Sequence, residues 1–295
     1  MREEEVAADI RVRRNCRNPA TRRSFPRPDR TASAASRLGW HHARMATVLD
    51  LAEIRRSCAH CSLQQLCLPA GIGNDDLRRL DEIVRQRRPL APGDRLFRPG
   101  EPLGAVYVAR EGAFKTIQTS EDGEEHVVGF HLPGELIGLD ALGSGEHRTE
   151  AIALTAANVC EVPFGQLATV ASQVPGLQQQ LLRVIGQSVG RDQDHVGMLV
   201  RRQAGERIAL FLHGLAERYR NIGQSDTRFR LPMTREDIGR YLGLALETVS
   251  RGFTRLQEDG VIAVTGRNVE VLQPRELRRL AHEAEAEEPK RRRRA

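Results

Sequence analysis

Cys58, Cys61 and Cys67 follow one another as C-x2-C-x5-C, Cys160 stands alone far downstream, and Cys16 is the fifth cysteine. Disulfides are disfavoured in a reducing cytosol. Three clustered thiols and a distant fourth can instead make a four-thiolate site for zinc or for an iron–sulfur cluster. Structural zinc sites usually pair two C-x2-C knuckles, and this chain has one, so the spacing by itself leaves cluster, zinc and free buried thiols all open. A second set of reactive types is Glu247, Ser250 and Arg251. Arg251 can donate twice to guanine O6 and N7, Glu247 can accept from cytosine N4, and Ser250 can touch a base edge or a thymine methyl. Arginines nearby are suited to phosphate contacts. The third is Asp192, a lone carboxylate in an otherwise apolar series.

These residues need elements to hold them. Thr234 can cap a helix with Asp237 three residues on, in the manner of a capping box. Ile238, Tyr241 and Leu242 give that helix one apolar face, and Gly243 permits a tight turn. The next helix buries Leu246, Val249, Phe253 and Leu256 and turns Glu247, Ser250, Arg251 and Arg255 outward. Two short helices around a glycine turn make a helix-turn-helix. Val261–Val264 and Val269–Leu272, joined by Thr-Gly-Arg-Asn, predict a hairpin wing. Upstream, the apolar pieces Val106–Val108, Phe114–Ile117, His126–Phe130, Ile152–Leu154 and Val159–Val162 alternate with glycine turns, which predicts a jelly-roll type barrel. Between the two, a long helix is expected over 176–204. There Leu182, Ile185, Val189, Asp192, Val196 and Leu199 follow spacings of 3, 4, 3, 4 and 3, a heptad seam with one intruder. Strict alternation favours a partner helix, and a symmetric copy is the commonest kind.

The net charge of +6 is unevenly placed. Residues 1–44 hold 11 Arg against 5 acids, 45–200 hold 14 Lys and Arg against 20 acids, and 201–257 hold 11 Arg against 6 acids. An acidic part followed by a basic part suits a sensor joined to a nucleic-acid reader. No apolar run approaches the roughly 20 residues of a membrane span. The start Met1-Arg-Glu-Glu-Glu lacks the apolar stretch of a signal peptide, so a cytoplasmic protein is expected. Residues 1–46 are rich in Arg, Ser, Ala and Pro and read as a disordered leader. Met45, which opens a more ordinary sequence, is a candidate translation start. The run Lys290–Arg294 reads as a solvated basic tail that adds non-specific DNA affinity.

Several stretches together resemble the fumarate and nitrate reduction (FNR) branch of the CRP/FNR superfamily, over about residues 50–280. They are Cys58 and Cys61 with Ser62-Leu-Gln-Gln-Leu-Cys-Leu-Pro69; Gly129-Phe-His-Leu-Pro-Gly-Glu135; Leu139-Asp-Ala-Leu-Gly-Ser-Gly145; Val159-Cys-Glu-Val-Pro-Phe164; Asp192-Gln-Asp194; Met233-Thr-Arg-Glu-Asp-Ile-Gly239; and Leu246-Glu-Thr-Val-Ser-Arg251. The resemblance implies a homodimeric transcription regulator, not an enzyme, holding an oxygen-labile [4Fe–4S] cluster through Cys58, Cys61, Cys67 and Cys160. It implies that the loaded protein dimerises and binds inverted repeats of a TTGAT-like half-site through Glu247, Ser250 and Arg251. Air would release the protein from DNA. It also implies an Asp at position 192, between Val189 and Val196, that keeps the cluster-free protein apart, and a surface loop at the acidic turn Glu121–Glu125 that touches RNA polymerase. Ala245 departs from the family's hydroxyl cap before the recognition helix, a loss of about 1 kcal/mol. The long leader departs too.

The expected organisation is α+β: a leader (1–46), an iron–sulfur sensor domain with a β-roll (47–173), a dimerisation helix (174–204), a winged helix-turn-helix (205–280) and a tail (281–295). The competing reading is a cyclic-nucleotide-responsive CRP-type regulator. Gly134-Glu135 suits such a pocket, but Glu150 after Arg148-Thr149 would repel a phosphate.

Overall fold

The computed structural model describes residue 58 and residues 61–86, 89–201 and 203–286. All of these belong to one compact unit, Leu49–Ala295. The leader expected over 1–46, with Cys16, lies outside the described residues. The expected tail corrects: the chain is helical as far as Ala286, because Leu277 and Ala281, four residues apart, are buried. Residues 287–295 are outside the description.

Helix α1 (Asn74–Ile83) starts on Asp75 and Asp76, acids suited to a helix N-terminus, and buries Leu77 and Leu80. Eight strands follow: β1 (Arg85–Gln86), β2 (Arg95–Phe97), β3 (Ala105–Glu111), β4 (Phe114–Thr119), β5 (Glu125–His131), β6 (Leu136–Ile137), β7 (Glu150–Ala153) and β8 (Asn158–Pro163). They form two antiparallel sheets, β1-β8-β3-β6 and β2-β7-β4-β5, and every strand expected from the sequence is among them. The period of two explains why β3 is buried on both faces. Ala105, Tyr107 and Ala109 fill the space between the sheets with Phe97, Phe114 and Ile137. Val106 and Val108 point the other way, into a second core with Leu80, Val162, Leu167 and Leu177.

Helix α2 (Phe164–Gln173) and the long α3 (Pro175–Leu199) cover that second core, with Pro175 at the first turn of α3, where a missing N–H costs nothing. The expected single helix over 176–204 is broken. It stops at Leu199, and α4 (Ala204–Asn221) follows as a separate helix. Arg207 closes the corner by donating to the carbonyls of Arg201 (2.8 Å) and Leu242 (3.0 Å). Gly197 and Gly205 flank this break, but the connecting residues 200–203 contain no Gly or Pro to fix its place.

The C-terminal part is β9 (Arg228–Arg230), α5 (Arg235–Leu242), α6 (Leu246–Glu258), β10 (Ile262–Thr265), β11 (Asn268–Val271) and α7 (Pro274–Ala286). The hairpin wing is present, and β9 adds a third strand to it in the order β10-β11-β9. Helices α1, α2 and α7 and strand β9 were not foreseen. None of the described helices is long and apolar enough to cross a membrane.

Candidate functional site

The segment from Cys61 to Gly71 is a series of tight turns. Gln64 donates to Cys61 O (3.0 Å), Cys67 to Leu63 O (3.0 Å) and Ala70 to Cys67 O (3.1 Å). Leu63, Leu68 and Ala70 anchor it by burial. Cys160 comes from β8, where it pairs across to Val108 of β3 and Gln86 of β1. Folding brings these together: Cys58, Cys61, Cys67 and Cys160 line one cavity of about 30 Å³, with Leu80, Val84, Val108 and Arg110. All four cysteines are free thiols. Among the described residues no three His, Cys, Asp or Glu side chains converge as ligands of a single ion.

Electrostatics make these thiols reluctant to ionise alone. Burial pushes Cys67 up to about 12. Burial raises Cys58 too, and Asp81 adds to it; the Cys58 amide donates to Asp81 Oδ1 at 2.7 Å. Burial raises Cys160 as well, and the Arg110 guanidinium pulls the other way. A buried thiolate is costly without a cation beside it. Metal binding supplies that cation and displaces the protons. Four soft sulfur donors around one apolar cavity therefore fit an iron–sulfur centre in ligand type and number. Asp81 and Arg110 are neighbours that spacing arguments missed; neither stands in a motif.

Helix α3 is two-faced. Leu177, Gln180 and Val184 are buried against the cysteine loop, and Gln180 Nε2 donates to the Cys67 carbonyl at 3.0 Å. On another face the expected seam lies open: Leu182 is 64% exposed, Val189 48% and Val196 61%. Asp192 is exposed in the same stripe. Its carboxyl is raised by partial burial, against the pull of Arg191 and His195.

The predicted helix-turn-helix is present, with one correction: Leu246, expected in the buried face of its second helix, is 46% exposed, because it is the first residue of α6 and precedes the packed turns. Thr234 and Asp237 make a reciprocal capping box on α5, and Gly243 ends that helix at φ +62°, a backbone region that disfavours a side chain. Val249, Phe253 and Leu256 bury one face of α6. Glu247, Ser250 and Arg251 are exposed. Ala245 caps α6 without a side-chain bond. Gly252 went unremarked in the sequence, yet a methyl there would collide with the tip of Ile208 of α4, which would have to turn aside.

The β-roll and the helix-turn-helix share a core. Phe130 of β5 packs on Phe211 (centroids 6.1 Å apart) and Tyr241 (5.0 Å). Lys115 Nζ of β4 reaches Asp237 Oδ1 at 2.6 Å, and Glu125 pairs with Arg240. His195 of α3 stacks on the Tyr241 ring at 3.8 Å and donates from Nε2 to the Tyr241 carbonyl at 2.6 Å. Glu135 is held by Arg218 of α4 at 2.6 Å. Burial alone would raise Glu135, but the Arg218 cation and its hydrogen bonds prevail and leave it lowered. At the neighbouring turn, Asp140 Oδ2 accepts from the amides of Arg148 (2.9 Å) and Thr149 (3.1 Å) and from Thr149 Oγ1 (3.0 Å). An internal carboxylate thus occupies donors that a phosphate would need.

Two family models match the chain: a cyclic nucleotide-binding domain over residues 87–173 and a Crp-like helix-turn-helix domain over 206–280. The chain is 47% identical over 224 residues to the transcriptional activator protein Anr of Pseudomonas protegens, covering 76% of this chain and 92% of that one. It is 41% identical over 214 residues to the fumarate and nitrate reduction regulatory protein of Escherichia coli, covering 72% and 86%. Among solved structures, FixK2 from Bradyrhizobium japonicum is similar with a TM-score of 0.60 and 30% identity, covering 67% of this chain and 97% of that one. The relatives named here are regulators by description, in keeping with the expectation of a regulator and not an enzyme.

Proposed function

Because the chain belongs to the CRP/FNR family of DNA-binding transcription regulators, we propose that it is the oxygen-responsive kind. In this reading it carries a [4Fe–4S] cluster on Cys58, Cys61, Cys67 and Cys160. The observation that carries the reading is that these four thiols, from one loop and one distant strand, line a single apolar cavity. A cluster held there would supply a centre that dioxygen attacks. The chain's own residues do the rest. Leu63, Leu68 and Leu80 shield the sulfurs from water. The loop hands its position to α3 across their common core. The exposed stripe Leu182, Val189, Val196 fits a second copy of the same helix. Two copies of α6 then meet the two halves of an inverted TTGAT-like promoter site, with Glu247, Ser250 and Arg251 reading bases. The acidic turn Glu121–Glu125 is offered to RNA polymerase, with Glu125 also tied to Arg240. This reading puts the protein in the cytoplasm.

The test is iron and sulfide analysis of anaerobically purified protein, with DNA binding measured before and after air. Alanine at Cys58, Cys61, Cys67 or Cys160 abolishes cluster iron, and alanine at Cys16 leaves it unchanged. Full iron in Cys160→Ala, or a colourless zinc-bearing parent, refutes the assignment.

The match to a cyclic nucleotide-binding domain favours a second reading, a nucleotide-responsive regulator. Against it stand the engagement of Glu135 by Arg218 and of the Arg148 and Thr149 donors by Asp140. Under the cluster reading, cyclic AMP leaves DNA affinity unchanged.

A further inference from the structure

We propose that Gln180 is the positioning residue through which the four-cysteine site sets the placement of helix α3; this rests on the cluster reading above. Gln180 is 6% exposed, in a helix face otherwise apolar at Leu177 and Val184. A buried side-chain amide is retained where it has a partner, and its Nε2 donates to the Cys67 carbonyl at 3.0 Å. That carbonyl also accepts from the Ala70 amide at 3.1 Å. The second contact of Gln180, Arg183 Nη1 to Oε1, is longer at 3.5 Å.

Three features join the main chain around Cys67 to α3. Leu68 is buried with Leu177 and Val184. The Gly71 carbonyl lies 3.7 Å from where a Gly176 Cβ would stand. The Gln180 bond is the third, and it alone is directional. Apolar surfaces tolerate sliding, whereas a hydrogen bond weakens steeply with distance and angle. A loop whose Cys67 sulfur is held by a metal centre keeps its carbonyl in register with Gln180. A loop freed from that restraint does not. The helix that carries Gln180 also carries Leu182, Ile185 and Val189, so a change at Gln180 is delivered to the start of the seam. By linkage the relation is reciprocal: dimerisation favours the loaded loop as much as loading favours the dimer.

The substitution Gln180→Met keeps the volume and leaves the Cys67 carbonyl with its Ala70 partner. The measurement is the dimer dissociation constant by anaerobic sedimentation equilibrium, with and without bound iron, for parent and variant. We expect equal iron in both. We also expect the ratio of iron-free to loaded dissociation constants to shrink about fivefold per subunit in the variant, the worth of one net hydrogen bond. A residue that merely packed would weaken both states alike and leave the ratio intact, and an unchanged ratio at full iron overturns the proposal. If Gln180→Met does not fold, Gln180→Glu, of the same length, is measured in its place. It puts a carboxylate against the carbonyl, and a parental ratio there overturns the proposal equally. A parent without iron would bring down the cluster reading itself, and this inference with it.

Discussion

Arg251 and Glu247 lie one turn apart on the exposed face of α6. If they read bases, Arg251→Ala and Glu247→Ala each lose about 1–3 kcal/mol on the cognate half-site, concentrated at one base pair. A phosphate-contacting arginine instead weakens all sequences alike. Quantitative gel shifts on cognate and random duplexes separate the two, and equal losses for Arg251→Ala would remove it from the reading set. His131 makes a different residue-scale prediction. Burial lowers it from 6.5 to about 4, and its Nδ1 is buried without a partner among the described residues. A lowered histidine is neutral in the folded chain while the unfolded chain gains a proton below 6.5. Its contribution is therefore full above about 6.5 and is lost as pH falls toward 4. The loss is on the order of 3 kcal/mol at most. Urea midpoints of the parent and of His131→Gln, followed from pH 7 to 4.5, should diverge in slope across that window. Parallel curves would show that His131 titrates normally.

At the scale of the element, α3 carries an apolar seam and a carboxylate in balance. Burying Leu182, Val189 and Val196 against a second copy is favourable by roughly 25 cal/mol per Å². Two Asp192 side chains brought across a two-fold axis repel and lose water. Asp192 is already partly desolvated in the single chain, and its carboxyl is raised for that reason. In Asp192→Ala the opposing term is gone. The variant should dimerise and shift the palindrome in air, where the parent stays monomeric. Sedimentation equilibrium of both aerobic proteins decides it. A monomeric, DNA-silent variant would place the brake elsewhere.

At the scale of the molecule, the ion pair that ties the β-roll to the helix-turn-helix outweighs one within the wing. Lys115 and Asp237 are only 15% and 9% exposed, whereas Arg228 and Glu270 of the wing are 75% and 40% exposed. Removing one partner of a buried pair strands the other and costs about 3 kcal/mol or more; an exposed pair is worth under about 1 kcal/mol. Lys115→Met should thus lower the urea midpoint well beyond Arg228→Met. Asp237 keeps its bonds to the Thr234 amide and hydroxyl in that variant, so α5 stays capped and far-ultraviolet dichroism stays unchanged. Equal midpoints for the two variants would mean that water reaches the Lys115 pair.

What the chain declares by itself is whatever depends on neighbours a few residues away. The Thr234–Asp237 box, the glycine turn at Gly243, the Val249, Phe253 and Leu256 face of α6 and the alternation of β3 to β5 are local, and each recurs in the structure. The same holds for the open seam of α3, whose 3/4 spacing needs no tertiary contact to be seen. The break after Leu199 was not legible, because its closing bonds come from Arg207 and reach Leu242. Residue type offered Cys160 as a possible fourth thiol, but only the resemblance assigned it to the cysteine loop. Its approach is decided by β8 pairing between β1 and β3. Asp81, Arg110 and Gln180 surround the thiols from three separate segments, and Gln180 meets Cys67 across 113 residues of chain. Lys115 and Asp237 meet across 122. Such contacts follow from which strand or helix face happens to pack where. Periodicity states which face is buried; only the assembled layers state what it is buried against.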